Sequence, residues 1–243
     1  MIVLFTDFGL EGPSVGQMKA ALHRFAPTVP VIDLCHDVPA FDIAAAAHLL
    51  AALAPAFPRT ATFVGLVDPG VGTAAREPAM IGCDGVWFVG PDNGLFDVVA
   101  ARARTVRWRH VTWRPPRLSA SFHGRDLFAP VAARLARDDK VEGVEIAPPA
   151  RLAAAGADLA RIIYIDRYGN AMTGLRAENV ARARALRIAG RTLKFAETFG
   201  AAAAGEPFWY ENANGLVEIA LNQGRAAEAL GLEVGTAVAL GPS

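Results

Sequence analysis

Cysteine is scarce in this chain, and there is no imbalance of charge. Cys35 and Cys83 are the only two thiols in 243 residues. Two thiols do not frame a disulfide scaffold at this length, and their spacing fits no zinc site. Lys plus Arg and Asp plus Glu number 24 each, so the formal net charge is zero. A nucleic-acid binder usually carries a basic excess, which is missing here. Long apolar runs are missing too. The most apolar stretch, IAAAAHLLAALAPAF at 43–57, contains His48 and is too short to span a bilayer. The opening MIVLFTDFG has no basic segment followed by an apolar one, so no signal peptide is visible. These absences point to a reduced cytoplasmic protein with no nucleic-acid or membrane partner. With 53% hydrophobic and 20% charged residues, the chain is globular and long enough for a substantial core.

What is present is alternation. IVLFT at 2–6, VPVIDLC at 29–35 and TATFVGLV at 60–67 read as apolar strands. Between them, SVGQMKAALHRF at 14–25 and FDIAAAAHLLAAL at 41–53 read as helices, the second announced by Pro39. Apolar strands alternating with helices predict a mainly parallel sheet covered on both faces. AMIGCDGVWFVG at 79–90 reads as a hairpin on the Asp84-Gly85 turn. Helices are expected over 93–103 and 126–138, with a strand over 105–113. The stretch 144–161, with its double proline and low complexity, reads as a linker. Short strands and turns follow, consistent with a small β-barrel. The expected domains are an α/β domain over 1–155 and a β-barrel domain over 156–243.

Three motifs have simpler explanations than function. Gly70-x-Gly72-x-x-Ala75 matches the dinucleotide-binding pattern, with Asp92 at about the right distance. That pattern must open a helix, and TAAREP leads straight into another strand. GPSVG at 12–16 matches a nucleophile elbow, but the loop DFGLEG separates Ser14 from the strand end. Ser14 instead sits near the cap of a helix, whose N-terminus attracts carboxylates and phosphates. RWRHVTWRPPR at 107–117 interleaves basic and aromatic residues; at zero net charge it reads as an exposed edge strand. His23, His48 and His110 fall in helix or strand patterns, and His36 follows a strand end. No local spacing of His, Cys or acids resembles a metal site.

One pattern recurs: strands end on acids and glycines. Asp7 follows IVLFT, Asp68 follows TATFVGLV inside GLVDPGVG, and Asp92-Asn93 follow VWFVG. In a parallel sheet the carboxyl ends lie on one edge, where ligands bind. Asp7, Asp68 and Asn93 are therefore expected to line one crevice. Arg76 lies shortly after Asp68, and His123 lies beside a glycine before a helix.

TDFG with GQMKA, CHDVPAFDI, VDPGVG with Arg76, PDNG, FHGRDLFAP, DRYGNAMT and NANGLVEIALNQG resemble, in order, motifs of the S-adenosylmethionine hydroxide adenosyltransferase family, which is related to the fluorinase and chlorinase enzymes. The resemblance implies an α/β domain, a C-terminal β-barrel, a homotrimer with active sites at subunit interfaces, and no cofactor, S-adenosylmethionine being the substrate. It places a catalytic set on Asp68, Arg76 and His123. Halogenases of this group have a tyrosine where this chain has Asp68, and an extra loop absent here. Asp7 matches the acid that holds the ribose hydroxyls, and Phe41 an aromatic position near the sugar. Ser14 and Asp166 match positions near the methionine amino group, Asn170 an adenine contact, and Ala213 and Asn214 contacts to the methionine carboxylate. Tyr168, within DRYGN, joins this substrate-binding set. The chain departs from the usual motifs at Gly12 and Ala213, both at the methionine end.

The implied reaction converts S-adenosylmethionine and water to adenosine and methionine. The sulfonium leaves as a neutral thioether and needs no general acid. The weak nucleophile must be held in line, and Asp68 kept ionised by Arg76 would orient it. A carboxylate there also repels halide. The rival readings are a halide transferase and an adenosine- or S-adenosylmethionine-binding protein without turnover.

Overall fold

The computed structural model describes residues 1–73 and 76–241. The chain divides into two compact units, Met1–Gly156 and Ala157–Ser243.

The first unit holds strands β1 (Ile2–Thr6), β2 (Val31–Cys35), β3 (Thr62–Leu66), β4 (Pro78–Cys83), β5 (Val86–Pro91), β6 (Val106–Val111) and β7 (Gly143–Ile146). Its helices are α1 (Ser14–Phe25), α2 (Ile43–Leu53), α3 (Asp97–Arg102), α4 (Ala129–Leu135) and α5 (Leu152–Ala155). The strands form one sheet in the order β2-β1-β3-β5-β4-β6-β7. β1 and β3 lie inside it and are buried along their whole length, as their unbroken apolar sequences require. Ile2, Leu4, Val64, Leu66 and Val89 pack on Met18 and Leu22 of α1 and on Phe128 and Val131. A second cluster joins Ala47 and Ala51 of α2 to Val98 of α3. Asp42 caps α2, its side chain accepting from Ala45 N.

The expectation of a mainly parallel sheet needs correction. β2, β1, β3 and β5 run parallel, but β4 pairs antiparallel with β5 and β6, and β6 pairs antiparallel with β7. The cause is the Asp84-Gly85 turn, with φ of 49° and 94°. A two-residue turn of this kind joins only antiparallel strands, so the sheet is mixed. Two further expectations also change. β6 is no edge strand, because β7 covers it. The supposed linker holds β7 and α5, and Arg151 within it pairs with Asp92 and Asp97.

The second unit contains β8 (Leu159–Ile165), β9 (Ala171–Arg176), β10 (Leu186–Ile188), β11 (Arg191–Phe195), β12 (Pro207–Glu211), β13 (Leu216–Leu221), β14 (Ala239–Leu240) and helix α6 (Ala226–Leu230). Their order is β14-β10-β11-β12-β13-β9-β8. A bridge from Arg161 in β8 to Ala237, just before β14, brings the two ends of the sheet together and makes it barrel-like. Ile162, Leu186, Leu193, Trp209, Val217 and Ile219 fill its interior.

Two glycines shape the end of β3. A Cβ on Gly90 would lie 2.2 Å from the Gly65 carbonyl and 2.9 Å from the Phe96 ring. The Gly90→Ala variant is therefore expected to lose about 2 kcal/mol of stability or more. Gly200→Ala, with nothing within 4 Å of the added atom, should stay within about 0.5 kcal/mol of wild type. Urea unfolding of both variants checks the pair.

Candidate active site

The carboxyl ends of β1, β3 and β5 lie side by side, and each carries one of the predicted polar residues. Asp7 N donates to Leu66 O at 3.1 Å, tying the residue after β1 to the end of β3. Asn93 Nδ2 donates to Val67 O at 2.8 Å, and Asn93 Oδ1 accepts from Leu95 N at 3.2 Å. Both ends of the Asn93 amide thus brace the chain beside Asp68. Asp92 turns away to Trp108, His110 and Arg151. Burial pushes its carboxyl up, but the bonds from His110, Arg151 and Trp108 outweigh this and hold it below the usual range.

Asp68 and Arg76 form an ion pair with side chains only 11% and 9% exposed. Arg76 also donates to the Gly70 carbonyl, folding the loop back over its own acid. The loop needs its glycine at 72, where φ is +78° and a Cβ would meet Ala120 O at 2.3 Å. Asp68 Oδ2 takes the Arg76 bond, while Oδ1 is buried with no hydrogen-bond partner among the described residues. Ala75, the last member of the dinucleotide-like pattern, lies outside the described residues.

His123 stands at the entrance to a π-helical turn, Gly124–Phe128. Gly124 makes its position possible, because a Cβ there would lie 2.8 Å from Leu66 Cδ1. Phe122 packs edge-on against Phe8 of the TDFG loop, with ring centroids 5.8 Å apart. Burial and then the Arg76 charge push the His123 imidazole below its ordinary value, which favours the neutral ring. Arg76 and His123 line a cavity of about 200 Å³ with Thr73, Arg114 and Leu118. That space suits a few waters better than a nucleoside. A larger groove of about 960 Å³ lies between α1, α4 and the 113–117 loop, lined by five arginines and Trp113, and contains none of the predicted catalytic residues.

Burial pushes the Asp7 carboxyl up, the Phe41 and Asp7 amides hold it down, and the charge of Asp68 adds to the rise. The two acids therefore sense each other. Phe41 N donates to Asp7 Oδ2 at 3.4 Å. Phe41 itself is 72% exposed at φ +64°, a strained backbone for an aromatic residue. Ser14 is the first residue of α1 and is partly buried.

The other predicted residues lie in the second unit. Asp166 accepts from Asn170 N at 2.8 Å and Asn170 Nδ2 at 3.0 Å, so acid and amide form one clamp. Tyr168 is 75% exposed and lines an open groove of about 590 Å³ with Asn170, Phe199 and Arg225. Ala213 and Asn214 occupy the turn between β12 and β13. The sequence does not point to Phe199, nor to the cluster in which buried Asn212 and Glu218 meet the half-buried Tyr210. The available signal was an acid inside the otherwise apolar LVEIAL. Burial pushes the Glu218 carboxyl up, bonds from Asn212 and Tyr210 hold it down, and Asp166 adds to the rise. Among the described residues, no group of three or more His, Cys, Asp or Glu could hold a metal ion, and no helix is long and apolar enough to cross a membrane.

Residues 2–145 match the SAM hydroxide adenosyltransferase N-terminal domain and residues 160–239 match the C-terminal domain. The chain belongs to this family. It is 38% identical to the (R)-S-adenosyl-L-methionine hydrolase of Thermus thermophilus, covering 98% of both chains. It is 40% identical to the enzyme of that name from Salinispora arenicola, covering 95% of this chain and 93% of the relative. A fluorinase from Actinopolyspora mzabensis is 26% identical over 98% of this chain and 96% of its own. The crystal structure of an uncharacterized conserved protein from Thermotoga maritima superposes with a TM-score of 0.83, at 29% identity and full coverage of both chains.

The fit between Gly124 and Leu66 can be tested without substrate. In Gly124→Ala, His123 should be displaced from Arg76 and gain exposure, so its titration midpoint should rise toward about 6.5. NMR titration of the His123 ring against wild type checks the direction.

Proposed function

We infer that this protein is an S-adenosylmethionine hydrolase, converting S-adenosylmethionine and water to adenosine and L-methionine. The observation that carries the reading is the Asp68 carboxylate: one oxygen is held by Arg76, and the other is buried with no partner among the described residues. That free oxygen is an acceptor for a water hydrogen. Relatives 38% and 40% identical over nearly the whole chain bear the name of this activity.

The chemistry follows from the leaving group. A water oxygen forms a bond to the 5′ carbon while the carbon–sulfur bond breaks. Its electron pair stays on sulfur, giving methionine as a neutral thioether, and one proton is released. Asp68 orients the water and takes up part of its developing charge. The neutral His123 ring is read as a group that positions the same water or takes the proton. Halide meets the Asp68 charge and is excluded.

Asp7 is read as the partner of the ribose hydroxyls, with Phe41 beside the sugar and Asn93 bracing the loop next to Asp68. Ser14 and Asp166 are assigned to the methionine amino group, Asn170 to the adenine, Ala213 and Asn214 to the methionine carboxylate, and Tyr168 to the substrate-binding set beside Asn170. In this reading the enzyme is a cytoplasmic homotrimer, its active sites lie at subunit interfaces, and it needs no cofactor.

Incubation with S-adenosylmethionine in ¹⁸O-labelled water, with and without excess chloride, tests the reading. The expected product is adenosine labelled at the 5′ oxygen, in an amount unaffected by chloride. A 5′-halogenated adenosine would establish a halide transferase instead, and bound ligand without product a binding protein. Asp68→Asn should lower kcat by about 100-fold with adenosine still bound. The rate should also fall at acid pH as His123 becomes protonated, with a midpoint below about 6.5.

A further inference from the structure

The turn between β12 and β13 has an anchor that the proposed reaction does not use. Asn212 Oδ1 accepts from Asn214 N at 2.9 Å and from Leu216 N at 3.0 Å. Asn212 N donates to Leu216 O at 2.9 Å, and Gly215 N donates to Asn212 O at 3.0 Å. The shape of the turn that presents Ala213 and Asn214 is thus set by how one side-chain amide is oriented. Glu218 fixes that orientation from within the strand. Its Oε2 accepts from Asn212 Nδ2 at 2.6 Å, and its Oε1 accepts from the Tyr210 hydroxyl at 2.8 Å.

Glu218 is 2% exposed, in the middle of β13 and opposite Tyr210 in the ladder. A carboxyl so deep in an apolar strand carries a large desolvation penalty, and an apolar residue would fill the space without it. Its position calls for a purpose other than packing. With alanine at 213 the turn has no hydroxyl to offer there, so recognition at this end rests on where the backbone and Asn214 are held.

We propose that Glu218 is a positioning residue, locking Asn212 and through it the 212–215 turn in the form that receives the amino-acid end of S-adenosylmethionine. This rests on the functional reading above. Glu218 touches no substrate; it acts through Asn212. Tyr210 closes the second oxygen of the carboxylate and keeps the first aimed at Asn212. A glutamine at 218 still offers Asn212 an acceptor, because the Tyr210 hydroxyl can turn to accept from the new amide. A methionine there offers none.

The test compares Glu218→Met, Glu218→Gln and Asn212→Ala with wild type. Glu218→Met should raise KM for S-adenosylmethionine by about tenfold or more, the loss of a buried charge-assisted hydrogen bond. Its kcat should stay within about twofold, because the 5′ carbon is served by other residues. Adenosine affinity should be unchanged in all three variants. Glu218→Gln should recover most of the KM, and Asn212→Ala, which breaks the same contact from the turn, should reproduce the rise even if the methionine variant fails to fold. Hydrogen exchange at the Asn214 and Leu216 amides should be faster in Glu218→Met and near wild type in Glu218→Gln. Unchanged exchange, or a rise in KM accompanied by an equal loss of kcat and of adenosine affinity, would overturn the proposal. If wild type does not turn over S-adenosylmethionine, the functional reading fails separately, and the exchange measurement still decides whether Glu218 locks the turn.

Discussion

Asp68 cannot be buried alone. A carboxylate with so little exposure must be neutralised, and the loop that follows β3 is built to bring Arg76 back over it. The glycine geometry at position 72 and the close approach of Ala120 are conditions of that return. The pair also sets the electrostatics around it. Arg76 helps keep the His123 ring neutral, while the Asp68 charge makes Asp7 a weaker acid. Burial is the larger cause at both groups; the ion pair adds to it at Asp7 through Asp68 and at His123 through Arg76, with Asp68 partly opposing the second effect.

Much of the first unit was legible because its signals are strong and local. β1 and β3 are uninterrupted apolar runs between turn residues, and α1 occupies the whole of its predicted span at 14–25. The gathering of Asp7, Asp68 and Asn93 followed from one rule, that parallel strands end on one edge. Strand direction beyond β4 was harder. The Asp84-Gly85 turn was visible, yet its consequence for the rest of the sheet depends on pairings that β6 and β7 make over long separations. β7 and α5 hid in a stretch rich in alanine and proline, and the residue that fastens it, Arg151, finds Asp92 and Asp97 more than fifty positions away.

The site itself was legible as residue types but not as roles. Asn93 read as a ligand contact, and its amide turns out to brace Val67 and Leu95. Phe41 stands out in the sequence as an aromatic, while its left-handed backbone has no signature there. Glu218 stands out in the sequence only as one acid inside the apolar LVEIAL, which does not say what the carboxyl meets. Only the register, which sets it against Tyr210 and near Asn212, shows it to be interior.

The place of β1 has a consequence for how the enzyme comes into being. β1 is flanked by β2 and β3, and its partners in β3 are about sixty residues away in sequence. Parallel pairings across such distances are slow to form, because a long loop must close before any contact repays it. Asp7 therefore leaves the ribosome early but gains its surroundings late, when β3 docks and delivers Asp68. Completion of the edge that carries Asp7 and Asp68 is coupled to completion of the central strands, so a partly folded chain with all its helices in place still lacks it.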